Sequence, residues 1–181
     1  MPLTRRCLAA LALPLLALPA PARAASRREI DDAVAPALAR LREQEGTRIL
    51  ADNAKAILVF PRIIRGGFVF GGQYGNGAMI EGAETTGYYN IAGASFGLQI
   101  GAQSYGLAMF IMTEAALDFF RKSQGWEIGT GPSVVALDAG LAGSLTSTTM
   151  SQDVYAVTFG QQGPMAALTL DGQKISRITP E

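Results

Sequence analysis

Gly93-Ala94-Ser95-Phe96-Gly97 has the G-x-S-x-G spacing of a nucleophile elbow, in which a serine on a tight turn attacks a carbonyl carbon. That chemistry needs a base that takes a proton near neutral pH, and the 181-residue sequence contains no histidine. The three lysines, Lys55, Lys122 and Lys174, stand at no spacing that would make one of them the base of a serine–lysine pair. Ser95 therefore reads as a small residue packing in a glycine-rich strand. Zinc, copper and haem sites draw largely on His and Cys, and the single cysteine is Cys7, so no metal is expected. Glu81 with Glu84, and Asp31 with Asp32, lack the ligand spacing of a calcium loop and read as solvated acids. The glycine-rich runs Gly71 to Gly77 and Gly129 to Gly131 match no phosphate-binding fingerprint and read as turns. No cofactor is implied, and without an acid–base pair the chain does not read as an enzyme.

What remains is cationic side chains close to apolar ones. Lys55, Arg62 and Arg65 bracket a first candidate strand, and Arg121 with Lys122 stands just before Trp126. Positive charge draws a protein to anionic headgroups while an adjacent apolar group enters the interface, so these five residues are candidates for headgroup binding. Phe68 and Trp126 are the matching candidates for apolar contact. The plainer alternative is ordinary surface charge, and composition alone favours it.

The elements that must position these residues follow from periodicity. Between residues 29 and 57, Ile30, Val34, Ala37 or Leu38, and Leu41 recur on one helical stripe, with Pro36 predicted to kink the helix or mark its first turn. After Gly46, Thr47 is a predicted N-cap for a second helix carrying Leu50, Ala54 and Ile57. Beyond Ile57 the composition turns β-branched and aromatic, punctuated by glycine. Predicted strands are Ile57 to Phe60, stopping at Pro61, then Gly67 to Gly71, Ala78 to Glu81 and Tyr88 to Ile91.

From Tyr88 to Met112 the even positions are largely apolar, and the odd positions include Gly93, Ser95, Gly97, Gln99, Gly101 and Gln103. Fully extended, these 25 residues would span on the order of 80 Å, so the segment must fold back, near Gly101 to Ser104. Thr113 can cap a short helix through Leu117 and Phe120. Later strands are Val134 to Leu137, Asp153 to Phe159, and a pair, Ala166 to Leu170 and Lys174 to Ile178, joined at Asp171-Gly172. The fold class is α+β: N-terminal helices packed on a curved, mainly antiparallel sheet or partly closed barrel, with one short inserted helix.

Arg5 and Arg6, an apolar run from Leu8 to Leu18, and Ala22-Arg23-Ala24 have the form of a cleavable export signal. The run is about a dozen residues, short of the roughly 20 a spanning helix needs. Residues 1–24 are thus a signal peptide and 25–181 a single domain, periplasmic or secreted, with the Sec and twin-arginine routes both open. Cleavage removes three arginines and no acid, leaving 12 basic against 15 acidic residues, a formal charge of −3. Nothing in that balance points to nucleic acid. Nor does residue 25 onward contain any cysteine, so its stability must come from the core.

Lys55-Ala56-Ile57-Leu58-Val59-Phe60-Pro61, Gly72-Gln73-Tyr74-Gly75, Tyr88-Tyr89-Asn90, Ser95 to Gly101, Gly125-Trp126-Glu127-Ile128-Gly129, Thr148-Thr149, Asp153-Val154-Tyr155-Ala156 and Lys174-Ile175 together resemble the SYLF domain family in order and spacing. The resemblance implies a lipid-binding domain. In eukaryotic members it is associated with phosphoinositide membranes and actin, often beside SH3 or FYVE modules, whereas exported bacterial members stand alone. The family's lipid site is attributed to a basic segment at the start of the domain, and here Glu29 to Gln44 mixes acids with Arg40 and Arg42. The expectation is a non-enzymatic protein of the cell envelope whose partner is anionic phospholipid or a membrane surface, with actin not expected as a partner. Two alternatives stay open: a structural or protein-interaction module holding an envelope protein, and an outer-membrane barrel, against which the leading helices argue.

Overall fold

A computed structural model describes residues 25–67, 70–96, 101–123, 125–137, 150–162 and 172–181. The chain enters through α1 (Arg27–Glu43) and α2 (Glu45–Asn53). Ser26 and Glu29 form a capping box at the start of α1: the Ser26 amide donates to the Glu29 carboxylate at 2.7 Å, and the Glu29 amide donates to Ser26 Oγ at 3.3 Å. The predicted stripe is the buried one, Ile30, Val34, Ala37 and Leu41, and the helix runs on through Pro36. Thr47 does not cap α2, whose N-cap is Gln44. It is buried inside the helix, and its hydroxyl donates to the Leu41 carbonyl, one of the carbonyls that the end of α1 leaves without an intrahelical partner.

An eight-stranded sheet follows, in the order β5-β8-β3-β2-β1-β4-β7-β6. Its strands are β1 (Ala56–Gly67), β2 (Phe70–Glu81), β3 (Glu84–Phe96), β4 (Gly101–Ile111), β5 (Gly125–Glu127), β6 (Val134–Leu137), β7 (Val154–Gln162) and β8 (Lys174–Ile178). Strands β1, β2 and β3 form an antiparallel meander, and β4 returns to the free side of β1, a Greek-key order. Among the described residues β6 and β7 pair in parallel and the other strand pairs are antiparallel. The sheet curls into a half-barrel with a different cover on each face. On the outer face α1 and α2 pack over Ile57, Val59, Ala78, Ile80, Ala108, Phe110 and Val157. Within the curl, Leu58, Phe60, Ile63, Met79, Ile91, Tyr105, Leu107 and Met109 pack with Leu117 and Phe120 of α3 (Glu114–Lys122). Thr113 caps α3 as its sequence predicts, accepting from the Ala116 amide at 3.2 Å. This is the α+β architecture expected from the sequence.

Two local expectations fail for one reason. The first strand does not stop at Pro61, and Gly71 to Gly77 is not a turn but the body of β2. Between Val59 and Arg62 the β1 register slips by one residue against β2, and between Phe60 and Ile63 it slips by one against β4. A bulge therefore sits at Pro61-Arg62, where a proline without an N–H can be accommodated inside a central strand. Glycine on β2 makes room for it. A Cβ at Gly75 would stand 2.8 Å from the Arg62 carbonyl oxygen, and one at Gly77 would collide with the Val59 carbonyl oxygen.

The fold-back expected near Gly101 to Ser104 is not there: these residues open β4, while β3 ends at Phe96, and the two strands are not neighbours in the sheet. The predicted strand Ala166 to Leu170 and residue Asp171 of the predicted turn lie outside the described residues.

Gly77→Ala should lower stability by about 1–3 kcal/mol, because a backbone atom has to move. Gly66→Ala, where a Cβ meets nothing within 4 Å, should stay within about 0.5 kcal/mol of the parent. Urea denaturation midpoints of the two variants check the contrast.

Candidate functional site

The five cationic candidates separate into two groups. Lys55 Nζ lies 3.6 Å from Glu114. Arg121 donates through Nε to Glu81 at 3.3 Å, pairs with the same carboxylate through a second nitrogen, and lies 3.7 Å from Asp118. Lys122 pairs with Asp118 at 3.1 Å. The bases on and beside α3 thus face acids contributed by α3 itself and by the end of β2, and little positive field is left at that surface. The Arg121 hydrogen bond holds the Glu81 carboxyl below its ordinary range, outweighing a desolvation effect that pushes the other way.

Trp126 is also not at a surface. It is 3 % exposed, in edge-to-face contact with Phe120 at 4.9 Å and Phe119 at 6.2 Å between ring centroids. Its indole belongs to the inner core, so it cannot enter a lipid interface without unpacking α3. Phe68 lies outside the described residues.

Arg62 and Arg65 form the second group: neither has an ion-pair partner among the described residues. The bulge decides where they point. Strict alternation from Leu58 and Phe60 would put Arg62 and Ile64 inside, but the extra residue reverses the phase. Ile63 joins the inner core, Arg62 and Ile64 face outward, and Arg65 is half-buried on the inner side.

Beyond the area that α1 covers, the outer face carries an apolar pair that the sequence did not single out. Ile64 on β1 stands opposite Tyr74 on β2, and they are 50 % and 51 % exposed. Tyr74 is held by a hydrogen bond from its hydroxyl to Asn76 Oδ1 at 2.8 Å, and Asn76 is the register partner of Arg62. Beside this pair a groove of about 420 Å³ runs between α1 and the sheet. Its lining includes Ala33, Pro36 and Arg40 of α1, Pro61 and Arg62 of the bulge, Ser104, Phe159 and Gln162, with no acid among the described lining residues. Arg40, like Arg62, has no carboxylate partner among the described residues. Two free guanidinium groups beside an exposed aliphatic–aromatic pair make a cationic, partly apolar surface. It can attract an anionic surface and place two apolar side chains in it. Among the described residues no three of His, Cys, Asp and Glu could hold a metal ion.

A family model described as Ysc84, Las17-binding protein actin regulator, matches residues 92–179, about half of the chain. The match runs from within β3 to the residue after β8. It takes in Ser104, Phe159 and Gln162 of the groove but not Arg40, Arg62, Ile64 or Tyr74. Among curated proteins no sequence matches the chain. The expectation that actin is not a partner does not stand, since the family that the matched half resembles is described as an actin regulator.

The Glu81–Arg121 pair carries a pH signature of fixed sign. A carboxyl whose pKa is depressed on folding adds stability above its unfolded value, and that stability is lost as pH falls through the lower folded value. Glu81→Gln should therefore lower the urea midpoint at pH 7, and the midpoints of variant and parent should converge only as pH falls below the ordinary carboxyl range, through the lower folded value.

Proposed function

We propose that the chain is a non-enzymatic SYLF-type module that docks on anionic phospholipid membranes through the outer face of β1 and β2. The observation that carries this reading is the placement of Arg62 and Arg40, both without acidic partners, next to the exposed pair Ile64 and Tyr74. Long-range attraction brings the module to the surface, and burial of the isoleucine and the tyrosine ring holds it there. The bulge supplies the geometry, because it turns Arg62 and Ile64 to the same side as Tyr74. Arg121 and Lys122 take little part in this reading, since Glu81 and Asp118 already neutralise them.

A second reading is a protein-interaction module acting in actin regulation, favoured by the description of the family matched over residues 92–179. Co-sedimentation with filamentous actin in the absence of lipid tests it, and a protein left wholly in the supernatant counts against it.

The docking reading is tested by sedimentation with vesicles of pure phosphatidylcholine and with vesicles containing phosphatidylglycerol. Binding should require the anionic lipid and weaken with salt. Arg62→Ala and Arg40→Ala should each reduce it about fivefold, corresponding to about 1 kcal/mol per arginine at the surface. Arg121→Ala should leave it nearly unchanged. Equal binding to both vesicle types, or an Arg121→Ala effect as large as that of Arg62→Ala, would count against this surface.

A further inference from the structure

The reversal of phase at the bulge has a second effect on the opposite face of the sheet. Arg65 turns inward, and its register partners are Gln73 on β2 and Gln103 on β4. Three long polar side chains thus lie in one row across three neighbouring strands. On β3 the partner of Gln73 is Gly93, and the space a side chain would take there is used by its neighbours: a Cβ would stand 3.2 Å from Gln73 Nε2 and 3.3 Å from Gln173 Cγ. Tyr105, one inward position closer to the core than Gln103, donates its hydroxyl to Gln73 Oε1 at 3.0 Å. Burial pushes the Tyr105 pKa up to about 12, so the phenol remains a neutral donor at working pH. Gln73, Gln103, Tyr105 and Gln173 are all at least nine-tenths buried.

Arg65 brings a permanent positive charge into this row. Its Nε is buried and has no hydrogen-bond acceptor among the described residues, and no carboxylate there lies within ion-pair reach. Arg65 is half-buried, and the part of its guanidinium that is removed from water, Nε, is the part left without an acceptor. Every other nearby inward position would be better filled by an apolar side chain if packing were the only requirement, as Ile63, Ile91 and Leu107 show one level deeper. The neighbours are amides and a phenol, which can surround a charge without neutralising it. An anion bound here would supply the partner that Arg65 Nε lacks. The planar guanidinium fork matches an oxyanion with two oxygens, phosphate above all.

We propose that the inner row is a binding site for one phosphate-class oxyanion, with Arg65 as the bidentate donor, Gln73 and Gln103 flanking it, and the Tyr105–Gln73 hydrogen bond positioning the row. The site is on the face opposite Arg62 and Ile64, so it is separate from the outer docking surface. It rests on the membrane reading only in the source of its ligand, because a phospholipid headgroup and free phosphate present the same chemistry.

Calorimetric titrations of the protein with inorganic phosphate, and with dihexanoyl phosphatidic acid below its micelle concentration, separate the two sources. Binding of both probes assigns the site to the bare oxyanion, and binding of the lipid alone assigns it to a headgroup. In either case Arg65→Gln should weaken binding at least tenfold and Arg65→Lys should retain part of it. Thermal unfolding distinguishes a ligand role from a structural one. Without ligand, Arg65→Gln should melt close to or above the parent temperature, since it removes a half-buried guanidinium whose Nε has no acceptor. With the bound probe present only the parent should gain stability. Absence of binding by the parent to both probes overturns the proposal, and so does an Arg65→Gln protein that binds as the parent does. Vesicle sedimentation of Arg65→Gln keeps the two readings apart: undiminished sedimentation leaves the outer surface standing whichever way the titrations fall.

Discussion

Pro61 and Arg62 add one residue to β1 that neither β2 nor β4 matches, and most of what distinguishes this sheet depends on that mismatch. Side chains on a strand alternate strictly, so one extra residue exchanges inside for outside along everything that follows. Before the bulge, Leu58 and Phe60 face the inner core and Val59 faces α1. After it, Ile63 and Arg65 point inward while Arg62 and Ile64 point outward. The neighbours are built to tolerate it: Gly75 and Gly77 leave the space that the displaced β1 backbone needs. A bulge also increases local twist, which fits a sheet that curls far enough to hold α3 and the Trp126 ring within its concavity.

Charge is sorted by the same architecture. Around α3, Glu81, Glu114 and Asp118 lie within reach of Lys55, Arg121 and Lys122, and exposed pairs of that kind contribute little to stability but cancel each other's field. Among the described residues near the bulge, Arg40 and Arg62 have no carboxylate partner. A chain with equal numbers of acidic and basic residues can in this way keep one cationic surface. The potential at such a surface is local, and net charge does not report it.

The α+β class, the stripe of α1, the Thr113 cap of α3 and the curved antiparallel sheet were legible because each is written in short-range periodicity or in a capping residue. What was not legible depended on pairing between distant strands. Lys55, Arg121 and Lys122 look like free cations in the sequence; for Lys55 and Arg121 the partners Glu114 and Glu81 are far along the chain, although Asp118 stands four residues before Lys122. Trp126 next to basic residues suggests an interfacial aromatic, and only the packing of Phe119 and Phe120 against it shows that it is core. Arg62 and Arg65 stand three residues apart at the end of one candidate strand, and the bulge puts them on opposite faces. Tyr74 was hidden because glycine-rich sequence reads as turn, when here the glycines serve the close approach of β1 and β2. The alternation of Gln73, Tyr74, Gly75 and Asn76 was the signal that could have exposed it.

In the proposed docking mode the outer face of β1 and β2, rather than α3, meets the membrane. Residues 25–181 contain no cysteine, so single cysteines can be placed at Tyr74 and at Phe119, another large side chain with substantial exposure, and each labelled with an environment-sensitive fluorophore. On addition of phosphatidylglycerol vesicles, the label at position 74 should shift to the blue and become shielded from aqueous quenchers, while the label at 119 stays in water. A blue shift at 119 with none at 74 would contradict the account and move the docking surface to α3.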